Sequence, residues 1–227
     1  MKDWFVELFG NPTGTIIFQI LDASQLTLYL SLIAFIGGGS LALVLTIMRV
    51  APMRWMRSVS KAYVWWFQSV PLLMLLFLCG LGVPHLFDIQ VSPWAAASVA
   101  LILFTSAYMS EVWRGAVESV GQGQWEAGYA LNLSFLETLR KIIFPQAVKY
   151  GLAPTVGFMV QIIKGTSLAY IIGFQDLMLI GKRWANAPVP GSEPFIIFPL
   201  MAVMYFSICY PLALYARHLE ATAIQRT

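Results

Sequence analysis

Five blocks along the chain are long enough and apolar enough to cross a membrane as helices. Residues 26–48 hold no charge, 62–87 hold none apart from His85, 93–110 are clean up to Glu111, and 194–216 are clean throughout. The remaining block, 150–175, is interrupted by Pro154, Lys164 and several glycines. A spanning helix needs about 20 mostly apolar residues for a hydrocarbon core of ~30 Å. Barrel strands would be shorter and would alternate in polarity. The pattern therefore predicts an all-α integral membrane protein, one domain over 1–227. Its five transmembrane helices are expected near 22–48, 62–87, 93–115, 150–177 and 194–217.

Composition sharpens this. Of the 227 residues, 59% are hydrophobic and 11% charged, where a soluble domain carries about 25% charged residues; the mean hydropathy is +0.73. A net charge of +3 is too small to argue for nucleic acid. Cys79 and Cys209 both lie in apolar runs and are expected to be buried packing thiols. The opening MKDWFVELFG lacks the apolar core of a signal peptide.

Lys and Arg set orientation. With five spans, ten of the fourteen fall on one side, in 49–61, 114–149 and the C-terminal tail (Arg217 and Arg226 there), against Lys2, Lys182 and Arg183 on the other. Lys164 lies within a span. The N-terminus is thus expected outside and the C-terminus in the cytoplasm, which makes the polar stretch 116–147 between spans 3 and 4 cytoplasmic.

That stretch reads as helix, turn, helix. Good helix formers run from Gln122 to Leu131. Asn132 follows, one of the few residues besides Gly that accepts the left-handed conformation. Ser134-Phe135-Leu136-Glu137 is a capping box, with Glu137 and Lys141 in the favourable i, i+4 order. Pro145 is expected to end the second helix. Leu131, Leu133, Phe135, Leu136, Leu139, Ile142, Ile143 and Phe144 are too many apolar residues for a solvated loop. Either they pack under the spans or they dock into another protein.

The stretch resembles the EAA loop of permease subunits of bacterial ABC importers, through Glu126-Ala127-Gly128, Asn132 and Ile143-Phe144-Pro145. Gly128 stands where Ala is usual and Asn132 where Gly is usual. Other runs resemble the polar amino acid branch (histidine, glutamine and glutamate/aspartate permeases). These are Ser69-Val70-Pro71-Leu72-Leu73, with Gln68 where Arg is common; Ala107-Tyr108 through Glu111 to Arg114-Gly115; Gly123-Gln124-Trp125-Glu126-Ala127; Pro145-Gln146-Ala147; and Lys164-Gly165-Thr166-Ser167-Leu168, with Gly165 where Asp is usual.

The resemblance implies a multi-pass protein of the bacterial inner membrane that forms the pathway for a polar amino acid, leaning to the glutamate/aspartate type. It implies a second permease, identical or paralogous, two ATPase subunits that bind ATP and Mg, and an extracytoplasmic substrate-binding protein. Gln124, Glu126, Ala127, Gly128, Asn132 and Pro145 would couple the chain to the ATPase, Glu126 offering it a carboxylate. No catalytic, cofactor or metal site is expected in this chain, which has no G-x-x-x-x-G-K-[ST] phosphate loop.

Polar groups within spans are costly and mark pathways or interior contacts. Gln161, Lys164, Thr166 and Ser167 cluster around a breakable part of the fourth span, about 21 Å above Tyr150. With Gln68 they form the candidate substrate pathway; a kink packed on a neighbour is the plainer alternative. Glu111 and Arg114 suggest an interhelical pair or gate support. The rival reading is a subunit of an ATP-independent channel or secondary carrier, which needs a coupling carboxylate deep in a span. Only Glu111 and Asp176 come near, both at span ends. A membrane enzyme would need clustered His, Asp, Glu or Cys, and His85 and His218 lie far apart.

Overall fold

The computed structural model describes residues 2–224; Arg226 of the charge count lies outside them. All regular structure among the described residues is helical. Thr13–Val50, Pro93–Glu118, Phe135–Ile172 and Pro194–Thr222 are each long and apolar enough to cross a membrane. A fifth crossing results if Arg54–Ser69 and Leu72–Phe87 form one span, bent by 97°.

That bend corrects the expectation of one helix over 62–87. Val70, at φ −96° and ψ 126°, is extended, because the ring of Pro71 bars the residue before it from the helical region. The first half also starts earlier, at Arg54, so Arg54, Arg57 and Lys61 stand on a helix rather than in a loop. The fourth expected span differs as well. Its helix passes through Pro154, tightens to a 3₁₀ segment at Ser167–Ile172, and ends at Gly173 with φ +85°. The break sought near Lys164 is this change of helix type.

The chain forms two compact units. Residues 2–33, 72–101 and 161–211 make one. Its core holds Ile16, Ile20, Leu177, Ala185, Ile197 and Met201. Fully buried Asp176 accepts a hydrogen bond from Leu179 N at 2.9 Å, capping the short helix Leu177–Ala185, and Thr27 Oγ1 accepts one from Leu177 N at 3.1 Å. Cys79 is half-buried and Cys209 buried; both thiols are free.

Residues 34–71, 102–160 and 212–224 make the other unit. We label four of its helices: α1 (Thr13–Val50, of which it holds the later part), α2 (Arg54–Ser69), α3 (Pro93–Glu118, again the later part) and α4 (Gln122–Ala130). A Cβ on Gly38 would meet Thr105 at 2.6 Å, so only glycine lets α1 approach α3 this closely. Ser60 Oγ on α2 donates to Leu45 O on α1 at 2.9 Å, and the Tyr63 and Ser106 hydroxyls lie 2.7 Å apart. These bonds hold α2 against α1 and α3 and satisfy hydroxyls that would be costly in an apolar surrounding.

Candidate coupling site

The polar stretch folds, within this second unit, as a helical hairpin fixed by local backbone chemistry. α4 ends in a left-handed cap: Asn132 sits at φ +56°. Leu133 N donates to Gly128 O at 3.1 Å and Asn132 N to Tyr129 O at 2.9 Å. This paired pattern satisfies carbonyls that the helix end leaves free. Ser134 then opens the next helix. Its backbone N donates to Glu137 Oε2 at 3.0 Å, and its hydroxyl accepts from Glu137 N. Lys141 Nζ donates to Glu137 Oε1 at 3.2 Å. The Ser134 amide, the Ser134 hydroxyl and Lys141 together hold the exposed Glu137 carboxyl down to about 2. A depressed carboxyl stabilises the cap above its unfolded pKa and loses that contribution as pH falls toward 2. The cap is therefore intact at neutral pH.

The second arm does not end at Pro145. Phe135–Thr138 opens it, Leu139–Ile143 is a π turn, and helix resumes at Phe144 and runs on through Pro145. Phe144 N reaches back five residues to Leu139 O. Proline has no N–H and its ring crowds the carbonyl one turn earlier; the wide turn provides the room. We label the whole run Phe135–Ile172 α5.

The apolar residues divide between two faces. Leu139 and Ile143, with Phe135 and Ile142 half-buried, pack on Ala116 and Val117 of α3, on Val120 in the turn that follows it, and on Ile47 and Val50 of α1. The Trp125 and Phe135 rings stack at 5.7 Å and join the two arms. Leu131, Leu136 and Phe144 point outward, exposed by 71%, 63% and 47%. Both alternatives left open by the sequence, packing under the spans and a face free for a partner, are thus present.

Of the residues singled out from the sequence, Gln124 is exposed and accepts from Gln146 Nε2 at 3.2 Å. Glu126 and Ala127 are exposed, and Glu126 Oε1 accepts from Gln122 Nε2 at 3.1 Å. Gly128 is buried, and a Cβ there would lie 2.4 Å from Thr138 Cγ2. Glu111 accepts from Arg114 Nε at 2.8 Å, but this pair lies within α3. The interhelical partner is Arg49, at the end of α1, which reaches the other carboxylate oxygen; Arg114 also pairs with Glu118. Arg49 and Glu111 are largely buried, with 14% and 25% of their side chains exposed. Sequence reasoning placed Arg49 only among the loop charges. No local signal marks it, because its partner lies 62 positions away.

The pathway residues are not all in this unit. Gln68 is half-buried here, its amide 3.5 Å from Ala107 O. Gln161, Lys164, Thr166 and Ser167 belong to the first unit. Gln161 and Lys164 are exposed there; the Thr166 and Ser167 hydroxyls donate back to Ile163 O and Lys164 O at 2.7 and 2.6 Å.

The family described as binding-protein-dependent transport system inner membrane component matches residues 38–224, which takes in the whole hairpin and Arg49. The chain belongs to this family. As a permease it is 32% identical to the probable amino-acid ABC transporter permease YckA of Bacillus subtilis, over 86% of this chain and 84% of that one. It is 33% identical to the probable glutamine ABC transporter permease GlnP of the same organism, over 88% and 91%. Other relatives are named for glutamate and cystine transport. The fold of the permease is that of a chain in the crystal structure of an amino acid ABC transporter with histidines, with a TM-score of 0.81, 24% identity, and 90% and 94% of the two chains covered. It is a multi-pass protein of the inner membrane, and its relatives are transport subunits rather than enzymes.

Proposed function

We propose that this chain is the permease subunit of an ATP-driven importer for a polar amino acid. It lies with its N-terminus outside and its hairpin in the cytoplasm, gripped by a separate ATPase. The second permease, the two ATPase subunits and the extracytoplasmic binding protein belong to this proposal. So do ATP and Mg on the partner.

The observation that carries the reading is the two-faced hairpin. Its inner face is packed on the ends of α1 and α3, its outer face leaves Leu131, Leu136 and Phe144 uncovered, and the first arm carries the exposed carboxylate of Glu126. Apolar anchors beside a charge suit a protein partner, with the charge setting register. The arms are stapled at Asn132, Ser134 and Trp125, so a displacement of the hairpin passes to the helices beneath it instead of being absorbed in a loop. The second arm is itself the start of α5.

For substrate, the reading extends to the glutamate/aspartate type. Lys164 has no carboxylate partner among the described residues, and Leu72 Cδ2 lies 3.1 Å from where a side chain on Gly165 would begin. An uncompensated cation with no acid beside it favours a carboxylate-bearing ligand over a cationic one.

Glu126→Arg tests the coupling role in proteoliposomes holding the whole importer. The variant permease is expected to insert normally while ATP-driven uptake falls at least about tenfold, a loss of roughly 1.4 kcal/mol. Uptake equal to wild type would refute it.

A further inference from the structure

In the first unit, an open depression lies between the 3₁₀ segment that ends α5 and the short helix Leu177–Ala185, lined by Tyr170, Ile171, Leu179, Lys182, Arg183 and Asn186. We propose that it binds the phosphate of an anionic phospholipid headgroup.

The short helix has fixed sides. Leu177, Gly181 and Ala185, at i, i+4 and i+8, are buried, and Leu177 and Ala185 belong to the core with Ile16, Ile20, Ile197 and Met201. That anchorage leaves Lys182, Arg183 and Asn186 exposed. The Lys182 ammonium stands 4.6 Å from the centre of the Tyr170 ring, so a cation–π contact holds it over the depression before any anion arrives. Neither Lys182 nor Arg183 forms an ion pair among the described residues. The acid nearest in sequence, Asp176, is fully buried and committed to the helix cap. Two adjacent cations therefore face outward uncompensated.

The rest of the lining selects the anion. Ile171 and Leu179 are apolar and half-buried, and the depression begins where α5 runs out at Ile172. The end of a span lies at the headgroup level, where Tyr is favoured and phosphates are dense. A lipid phosphate with its acyl chain below meets both the charged and the apolar half; an acidic side chain of a protein partner would use only the charged half. Because both leaflets carry phosphates, the inference does not depend on the orientation proposed above.

The test uses the full-length purified chain in mild detergent, titrated with phosphatidylglycerol and phosphatidylcholine and read by native mass spectrometry. Wild type is expected to prefer phosphatidylglycerol. Lys182→Gln with Arg183→Gln should weaken its binding about twenty-five-fold, since each cation near a charged headgroup is worth about fivefold. Lys182→Arg should retain it. A control with equal charge loss, Arg54→Gln with Arg57→Gln, should stay within about twofold of wild type. Equal weakening in both double variants, or no preference in wild type, would overturn the site. Displacement of the lipid by inorganic phosphate at equal concentration would overturn the lipid assignment in favour of the free anion.

Discussion

Gly128 and Thr138 show how tightly the hairpin is fitted. The two arms meet where one residue has no side chain and the other is fully buried, with Thr138 Cγ2 in the space a methyl at 128 would need. Gly128→Ala should therefore force the arms apart and destabilise the unit by about 1–3 kcal/mol, the usual cost of overpacking. Thr138→Ala removes the colliding atoms, so the double variant should recover most of the loss. Thermal unfolding of the three variants in detergent checks this. If Gly128→Ala is as stable as wild type, the close approach is not limiting. At this scale much of the hairpin was legible in the sequence. The left-handed turn at Asn132 and the Ser134–Glu137 box are local backbone chemistry, and such chemistry is written in neighbouring residues. The Gly128–Thr138 fit was not, since nothing local pairs a small residue with its filler.

At the scale of elements, the hairpin sits on the last turns of α1 and α3, and Arg49–Glu111 ties those two helix ends together. Arg49→Met leaves Glu111 half-buried with Arg114 alone. A fully buried pair broken this way costs about 3–5 kcal/mol; the residual exposure here lowers that to roughly 1–3 kcal/mol. In the assembled importer, uptake per ATP hydrolysed should fall severalfold while hydrolysis persists, and Arg49→Lys should retain most of the coupling. A parallel loss of uptake and hydrolysis would mean the pair only supports folding. Two departures from the sequence pattern also belong to this scale. Hydrophobicity alone merged the helices on either side of Pro71 into one, because an apolar run does not record a bend. The rule that makes Pro145 a stop assumes an α turn, whereas a π turn at Leu139–Ile143 lets the helix continue.

For the whole molecule, the number and apolar character of the long helices were legible because the bilayer imposes length and hydrophobicity on every crossing. What covers their surfaces was not. In Pro194–Thr222 only 17% of the most apolar window is buried within the chain, so lipid or a second permease must meet the rest. α5 carries a measurable consequence. Its 38 residues amount to about 57 Å of helix, close to twice the ~30 Å hydrocarbon layer. If the oily layer begins near Tyr150, the stretch 135–149 rises about 22 Å into the aqueous phase. A spin label at position 136 would then relax rapidly with a water-soluble nickel chelate and only weakly with dissolved oxygen, the reverse of one at the exposed position 203 within Pro194–Thr222. The same rod would thus serve as a depth gauge, fixing how high above the bilayer any motor protein must ride.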